Sequence, residues 1–491
     1  MTPRLIAVRP IAARPIATHH HDGRRARALT AGLLSAAAVG LAGCASGGLG
    51  QAPRVASGLT SQLICIDVLH SGLPLADALR QRVAPLGAMG LVMPLIDVQV
   101  DAGQGRVHTR LAGGWASQAQ WRPGLGCLVD WPGDAPAASA GLPPVAHWPA
   151  PELPAIAGPA PVAAANPALA QALARGFDEP DAARPSLFTQ AIVVLQHGRV
   201  VGEQYAPGLG PATPLLGFSM SKSLTHALAG VLVQQGRLQP DRPGLFPAWQ
   251  VPGDARAAIT LDHLLRQTSG LAMRQDNSGT DPNSRMLFIE RDKAGWLQQQ
   301  PLVAPVGAGW AYSDGHFVLA GRLLRDAAGG SAAALHDLAV KRLFGPLGMH
   351  GVTLTVDATD TPNGASMFVA PARDWARLGQ LYLNDGLAGG RRVLPEGWVR
   401  HATTPTLDTA YGAGWWTNTL GGSMLPQWGV PWGFASAPRD AFFARGFMGQ
   451  FTLVVPSRGV VIVRMGISHQ RGDAIEAVDR LVGEVLAALP E

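Results

Sequence analysis

Lysine is almost missing from this chain. Of 39 Lys and Arg residues only Lys222, Lys293 and Lys341 are lysine, so positive charge is ordinarily supplied by arginine. Tyrosine is nearly as scarce, limited to Tyr205, Tyr312, Tyr382 and Tyr411. Each surviving Lys or Tyr therefore merits scrutiny as a place where the chemistry could require it. Cysteine occurs only at Cys44, Cys65 and Cys127, and there is no Cys/His cluster, no H-E-x-x-H helix and no P-loop. These absences exclude the common signatures of zinc and nucleotide sites, and no metal or cofactor is expected. The formal charge of +5 is scattered rather than gathered in a basic stripe, so no nucleic-acid partner is expected. A hydrophobic fraction of 47% against 15% charged residues excludes disorder throughout, and 491 residues suffice for two or more folded units.

Arg24, Arg25 and Arg27 precede an apolar stretch, residues 28–43, that is too short and too rich in small residues to span a bilayer comfortably. It reads as a signal peptide. Its end, Leu41-Ala42-Gly43-Cys44, resembles the bacterial lipobox, which implies that Cys44 is lipidated and becomes the first mature residue. The expected location is then the cell envelope, anchored to the membrane and facing the periplasm. Export places Cys65 and Cys127 in an oxidising compartment, where the pair most simply forms one disulfide; two buried free thiols are the alternative.

The expected organisation follows composition. Residues 1–44 are the signal peptide and 45–56 a tether. Residues 57–131 form a small α+β domain stapled by the disulfide, and 132–180 a Pro/Ala-rich linker or wrapping arm with a short helix starting at Asn166-Pro167. Residues 181–491 form the main domain. That domain opens with a hairpin around His197-Gly198, continues with a helix over 219–235 and closes with a second hairpin, 451–455 and 460–465. A final helix starts from a box-like Asp473 and Glu476. Strands at both ends with helices between them predict an antiparallel sheet covered by helices, an α+β arrangement.

Ser219-Met220-Ser221-Lys222 sets a Ser and a Lys three positions apart at the start of that first helix, on one face and a turn apart. A serine hydroxyl is a weak nucleophile until a neighbour takes its proton, and an amine held uncharged by burial can do so. Arginine cannot, which is why the lysine count gives this short pattern weight. Gly217-Phe218-Ser219-Met220-Ser221 also nearly fits the G-x-S-x-G elbow of α/β-hydrolases, but the second glycine is replaced and no obvious strand leads into it.

Three ordered motifs resemble the serine β-lactamase and penicillin-binding-protein group, especially 6-aminohexanoate-dimer hydrolases. They are Ser219-Met220-Ser221-Lys222, Tyr312-Ser313-Asp314, and Phe447-Met448-Gly449 opening a strand. The stretches 259–271 and 370–386 support the resemblance, which covers about 186–491. It implies the β-lactamase/transpeptidase-like fold with an all-helical subdomain. It further implies that Ser219 is acylated, Lys222 takes its proton, Tyr312 relays a proton to the leaving group, and the backbone N–H groups of Ser219 and Gln450 form an oxyanion hole.

Two positions depart from the pattern. Asp314 replaces the usual Asn or Ser and is placed to bond Lys222 instead of a substrate amide, which would hold Lys222 more strongly charged and slow it as a base. Phe447 replaces the Lys or His that meets a substrate carboxylate, with Arg445 the nearest cation in sequence. With Gly449 and Trp415 these residues are expected to line the substrate site, and Tyr411, Trp416, Trp428 and Trp432 are further aromatic candidates for an acyl pocket, core packing being the alternative for each. Asp276, Asp281 and His316 are candidates for leaving-group contacts, though Asp276 and Asp281 read rather as solvated loop residues and His316 as a satisfied polar group. The expected partner is a small amide or ester, hydrolysed through an acyl-enzyme. The alternatives are a D-alanyl-D-alanine carboxypeptidase or β-lactamase, and a non-catalytic envelope-binding lipoprotein.

Overall fold

The structure, a computed structural model, describes residues 6–7, 50–153, 155–422, 424–425 and 430–490. The signal peptide and lipobox readings, Cys44 included, fall outside these residues apart from Ile6–Ala7, which pairs along the edge of the first sheet. Trp428 also lies outside them. Among the described residues no helix is long and apolar enough to cross a membrane.

The N-terminal unit is a helix laid on an antiparallel meander. Helix α1 (Gln51–Ile64) starts inside the stretch expected to be a tether and continues as a π-helical turn, Cys65–His70. Strands β1 (Ile96–Asp101), β2 (Arg106–Leu111), β3 (Trp115–Arg122) and β4 (Gly126–Asp130) pair in sequence order. The buried face of α1 is largely polar and small. Ser57 and Ser61 each place Oγ 2.8 Å from the Ser117 Oγ of β3. A disulfide joins Cys65 to Cys127, tying the helix end to β4.

The Pro/Ala-rich segment wraps the second unit. Its backbone bonds run from Ala138 to Ala358, from Glu152 to Pro346 and from Ala165 to Val201. As the Asn166-Pro167 pair predicts, α2 (Pro167–Arg175) follows, its N-cap Asn166 accepting from the Leu169 N–H at 2.9 Å.

The main sheet draws strands from both ends of the second unit. Strands β5 (Thr189–Gln196) and β6 (Arg199–Tyr205) form the expected hairpin, turning at His197 and Gly198 with φ of 49° and 79°. After β7 (Pro214–Leu216) comes α3 (Ser221–Gln234), then α4 (Leu261–Leu265), α5 (Pro282–Phe288) and α6 (Asp314–Ala328). Strand β8 (Val369–Pro371) pairs with β7 and leads into α7 (Ala372–Leu383). The chain ends with β9 (Trp416–Thr417), β10 (Phe442–Gly446), β11 (Gln450–Val455), β12 (Val460–Gly466) and α8 (Ile475–Ala488). The sheet order is β9-β10-β11-β12-β5-β6, antiparallel throughout.

Both sheet faces are covered. Ala191, Val193 and Leu195 face the core shared with α7 and α3, whereas Ile192 and Val194 face α2 and α8. This explains why β5 reads as an unbroken apolar run rather than an alternating one. Each such Val, Leu or Ile contributes about 1.5–3 kcal/mol by leaving water. The capping box expected at the last helix is not formed: α8 starts after Ala474, whose φ is 60°, with no side-chain cap.

Candidate active site

The first motif sits on a tight turn between β7 and α3. Gly217 is required there, because a Cβ would stand 2.3 Å from Cζ2 of the buried Trp375. Phe218 then takes the left-handed region, φ 45°, unusual for an aromatic residue. Ser219 lies in the 3-10 turn Phe218–Met220, so the α-helix begins at Ser221 rather than at Ser219. Ser221 holds the turn: its Oγ donates to the Phe218 carbonyl at 2.6 Å and accepts from the Phe368 N–H at 3.0 Å. That role carries no motif of its own and was not visible in the sequence. A strand does lead into Ser219, but it is the short antiparallel β7, not a strand of the main sheet.

Lys222 projects from the first turn of α3 into a pocket that leaves it 1% exposed. Its Nζ donates to Ser219 Oγ at 3.0 Å, to Asp314 Oδ1 at 2.5 Å and to the Ala365 carbonyl at 3.1 Å. The same nitrogen lies 4.7 Å from the centre of the Tyr312 ring. The structure thus brings together Ser219, Lys222, Tyr312 and Asp314, which are spread over nearly a hundred residues of sequence.

Two residues fix the second motif. Gln267, with φ 61°, accepts from the Ser313 N–H through Oε1 at 2.5 Å and from the Ala311 N–H through its carbonyl at 3.0 Å. It therefore brackets Tyr312 on both sides. Ser313 caps α6 through the Gly315 N–H, and Asp314 is the first residue of that helix. The Tyr312 ring lies nearly parallel to Trp416, 5.8 Å away, and edge-on to Tyr411 at 6.0 Å. Burial, with the Tyr312 phenol nearby, holds the Tyr411 hydroxyl above its ordinary range and hence neutral.

The third motif is the turn from β10 to β11. Gly446 meets the first motif directly, since a Cβ there would stand 2.2 Å from the Gly217 carbonyl oxygen. Phe447 is 42% exposed and packs edge-on against Phe218 at 5.6 Å, giving the mouth an apolar rim. Met448 and Gly449 turn with φ of 62° and 84°. The buried Gln450 begins β11, and its side-chain amide donates to the carbonyls of Phe447, Met448 and Gly466.

Several expectations need correcting. Trp415 is fully buried and packs on Tyr382 at 4.4 Å and Phe442 at 5.4 Å, in the core rather than in the site. Its neighbour Trp416 is the tryptophan beside Tyr312, because successive residues of a strand face opposite ways. Arg445 is buried rather than at the rim. It lies on the same sheet face as Trp416, its guanidinium carbon 3.7 Å from the ring centre of Trp432, which packs on Trp416 at 4.5 Å, and its Nη2 donates to the Gly472 carbonyl at 2.7 Å. Asp281 is not a solvated loop residue but the buried N-cap of α5, accepting from Ser284 N at 3.1 Å. His316 is a satisfied core group as expected. Burial pushes its imidazole down to about 4, so the neutral ring donates from Nδ1 to the Ser313 carbonyl and accepts from Ser269 Oγ at Nε2.

6-Aminohexanoate-dimer hydrolase of Paenarthrobacter ureafaciens is 28% identical over 225 residues, 43% of this chain and 56% of that one. The match spans little more than half of that relative's length. Among solved structures, a penicillin-binding protein homolog from Caulobacter crescentus superposes with a TM-score of 0.51 at 18% identity, covering 67% of this chain and 99% of that one. A family VIII carboxylesterase superposes with a TM-score of 0.51 at 14% identity, covering 66% and 99%. Both show the same β-lactamase/transpeptidase-like fold. The sequence profile of the Beta-lactamase family matches residues 171–483, more than half of the chain, from α2 through the main sheet and into α8, so the chain belongs to the Beta-lactamase family.

Proposed function

We propose that this protein is a serine hydrolase that cleaves small amides or esters through an acyl-enzyme. The observation carrying the proposal is the 3.0 Å contact between Lys222 Nζ and Ser219 Oγ in a site closed to water on the lysine side. In this reading Ser219 Oγ attacks the carbonyl carbon while its proton passes to Lys222. The carbonyl oxygen gathers charge against the N–H groups of Ser219 and Gln450. Tyr312 hands a proton to the departing amine or alcohol, and water releases the acyl group by the same steps in reverse order.

As an ammonium, Lys222 has three acceptors for its three N–H bonds, and in that state it donates to Ser219 rather than accepting from it. Once it has given up a proton, its lone pair faces Ser219 Oγ as base while its remaining N–H bonds go to the Ala365 carbonyl and, at 2.5 Å, to Asp314. The same contact favours a second reading, in which the pair stays charged and the fold serves as a binding module of the envelope.

The apolar rim at Phe447 suits neutral acyl chains and offers no partner for the carboxylate of a β-lactam or a D-alanyl-D-alanine terminus. The similarity to 6-aminohexanoate-dimer hydrolase and to a carboxylesterase supports amides and esters as the substrate class. The deciding experiment is a panel of a p-nitrophenyl ester, a linear amide and a β-lactam against wild type and Ser219→Ala. Ester or amide turnover that the substitution abolishes supports the hydrolase. A folded protein with no turnover of any of the three supports the binding module.

We further propose export and lipid anchoring at Cys44, on the strength of the Leu41-Ala42-Gly43-Cys44 sequence and of a disulfide that an oxidising compartment favours. Metabolic fatty-acid labelling that survives in wild type and vanishes in Cys44→Ala supports it, and equal labelling of both contradicts it.

A further inference from the structure

The N-terminal unit lies outside the matched family region, yet one of its side chains reaches the candidate active site from behind. Arg82, 1% exposed, stands on the π-helical turn Ala78–Val83. Its Nε donates to Asp67 Oδ2 at 2.6 Å, and Asp67 stands on the other π-helical turn, Cys65–His70, two residues from the disulfide. The guanidinium then meets two residues of the second unit. Nη1 lies 3.9 Å from Met448 Sδ, and the guanidinium carbon lies 5.4 Å from the centre of the Phe218 ring.

Phe218 and Met448 share an uncommon property: both are non-glycine residues in the left-handed region, with φ of 45° and 62°. Such residues persist only where their surroundings over-determine them. Their positions matter, since Phe218 immediately precedes Ser219 and Met448 stands two residues before Gln450. These are the two residues whose N–H groups form the oxyanion hole in the proposed mechanism. A second contact secures the same turn. His469 Nε2 donates to the Gln81 carbonyl at 2.5 Å, and the adjacent Ser468 N–H donates to the Met448 carbonyl at 2.9 Å.

We propose that Arg82, held by Asp67, is a positioning residue for the oxyanion hole, fixing the Phe218 and Met448 turns so that the Ser219 and Gln450 N–H groups converge. The inference rests on Ser219 being the acylated nucleophile. It gives the N-terminal unit a catalytic purpose: it completes the scaffold behind the site instead of acting on a separate ligand.

The test uses the full chain. Arg82→Met strands Asp67 as a buried charge and risks misfolding, so Asp67→Leu/Arg82→Met, which removes both charges together, is the principal variant. With a p-nitrophenyl ester, kcat should fall at least about tenfold with KM within about threefold, since oxyanion contacts act on the transition state rather than on bound substrate. The rate of Ser219 labelling by a fluorophosphonate should fall in parallel, at a temperature well below the variant's thermal midpoint. Arg82→Lys keeps the Asp67 pair but is too compact to cover both turns, and should lose about fivefold in kcat with KM unchanged. A folded double variant with kcat within about twofold of wild type, or with only KM raised, overturns the inference. If the double variant does not fold, Arg82→Lys decides by the same criterion. Wild-type protein that gives no adduct on Ser219 sinks the underlying hydrolase reading, and this inference with it.

Discussion

Lys222 and Asp314 form a buried ion pair, Nζ to Oδ1 at 2.5 Å, between side chains that are 1% and 4% exposed. The pair joins the first turn of α3 to the first residue of α6, so charge, fold and the proposed chemistry meet at one contact. Lys222→Arg keeps a positive charge opposite Asp314 but supplies no base, and should lower kcat about 10²–10⁴-fold while the protein remains folded. Ester hydrolysis by the arginine variant within tenfold of wild type contradicts the assignment of Lys222. Lys222→Met leaves Asp314 alone in the pocket and should cost about 3–5 kcal/mol of stability, read from denaturant unfolding.

The approach of Gly217 to Trp375 makes a second prediction. Trp375 is fully buried and has no room to retreat from a methyl group at 217. Gly217→Ala should cost about 1–3 kcal/mol through overpacking and lower activity by displacing Ser219. An alanine variant with unchanged thermal midpoint and kcat shows that the turn relaxes freely.

His316 ties stability to pH. Its imidazole titrates at about 4 in the folded protein, below its ordinary 6.5, because burial disfavours the charged ring. Between those values the unfolded chain binds more protons, so stability is lost as pH falls from 6.5 towards 4. His70, also pushed down to about 4 by burial, acts in the same direction. His316→Gln should therefore lose less thermal stability than wild type between pH 7 and pH 5. An equal loss in both proteins shows that His316 does not contribute.

The disulfide closes a loop with a sequence separation of 62. On the chain-entropy account its removal by Cys127→Ser costs about 4 kcal/mol in unfolding of the N-terminal unit. Since Cys65 is two residues from Asp67, the same variant should also depress kcat. Unchanged unfolding and unchanged kcat contradict this coupling.

What could be seen in the sequence was local and periodic. The Ser219/Lys222 spacing is set by one helical turn and stands out against an arginine-based composition. The first hairpin is announced by His197-Gly198 between two apolar runs. What could not be seen depended on direction or distance. Trp415 and Trp416 are adjacent and chemically alike, and only the strand's orientation sends one to the core and the other to Tyr312. Helix α1 is not marked in the sequence because Ser57, Gly58, Thr60 and Ser61 form part of its buried face, so hydrophobic periodicity does not reveal it. Asp281 reads as loop until its role at the start of α5 is seen. Arg82 and Met448 are 366 residues apart and belong to no shared motif, so their contact exists only in the folded molecule.

The most direct measurement is intact-protein and peptide mass spectrometry after exposure to a fluorophosphonate. The account predicts one adduct per chain, on the peptide containing Ser219, absent in Ser219→Ala and strongly slowed in Lys222→Arg. A folded wild-type protein that carries no adduct, or carries it on another serine, contradicts the claim.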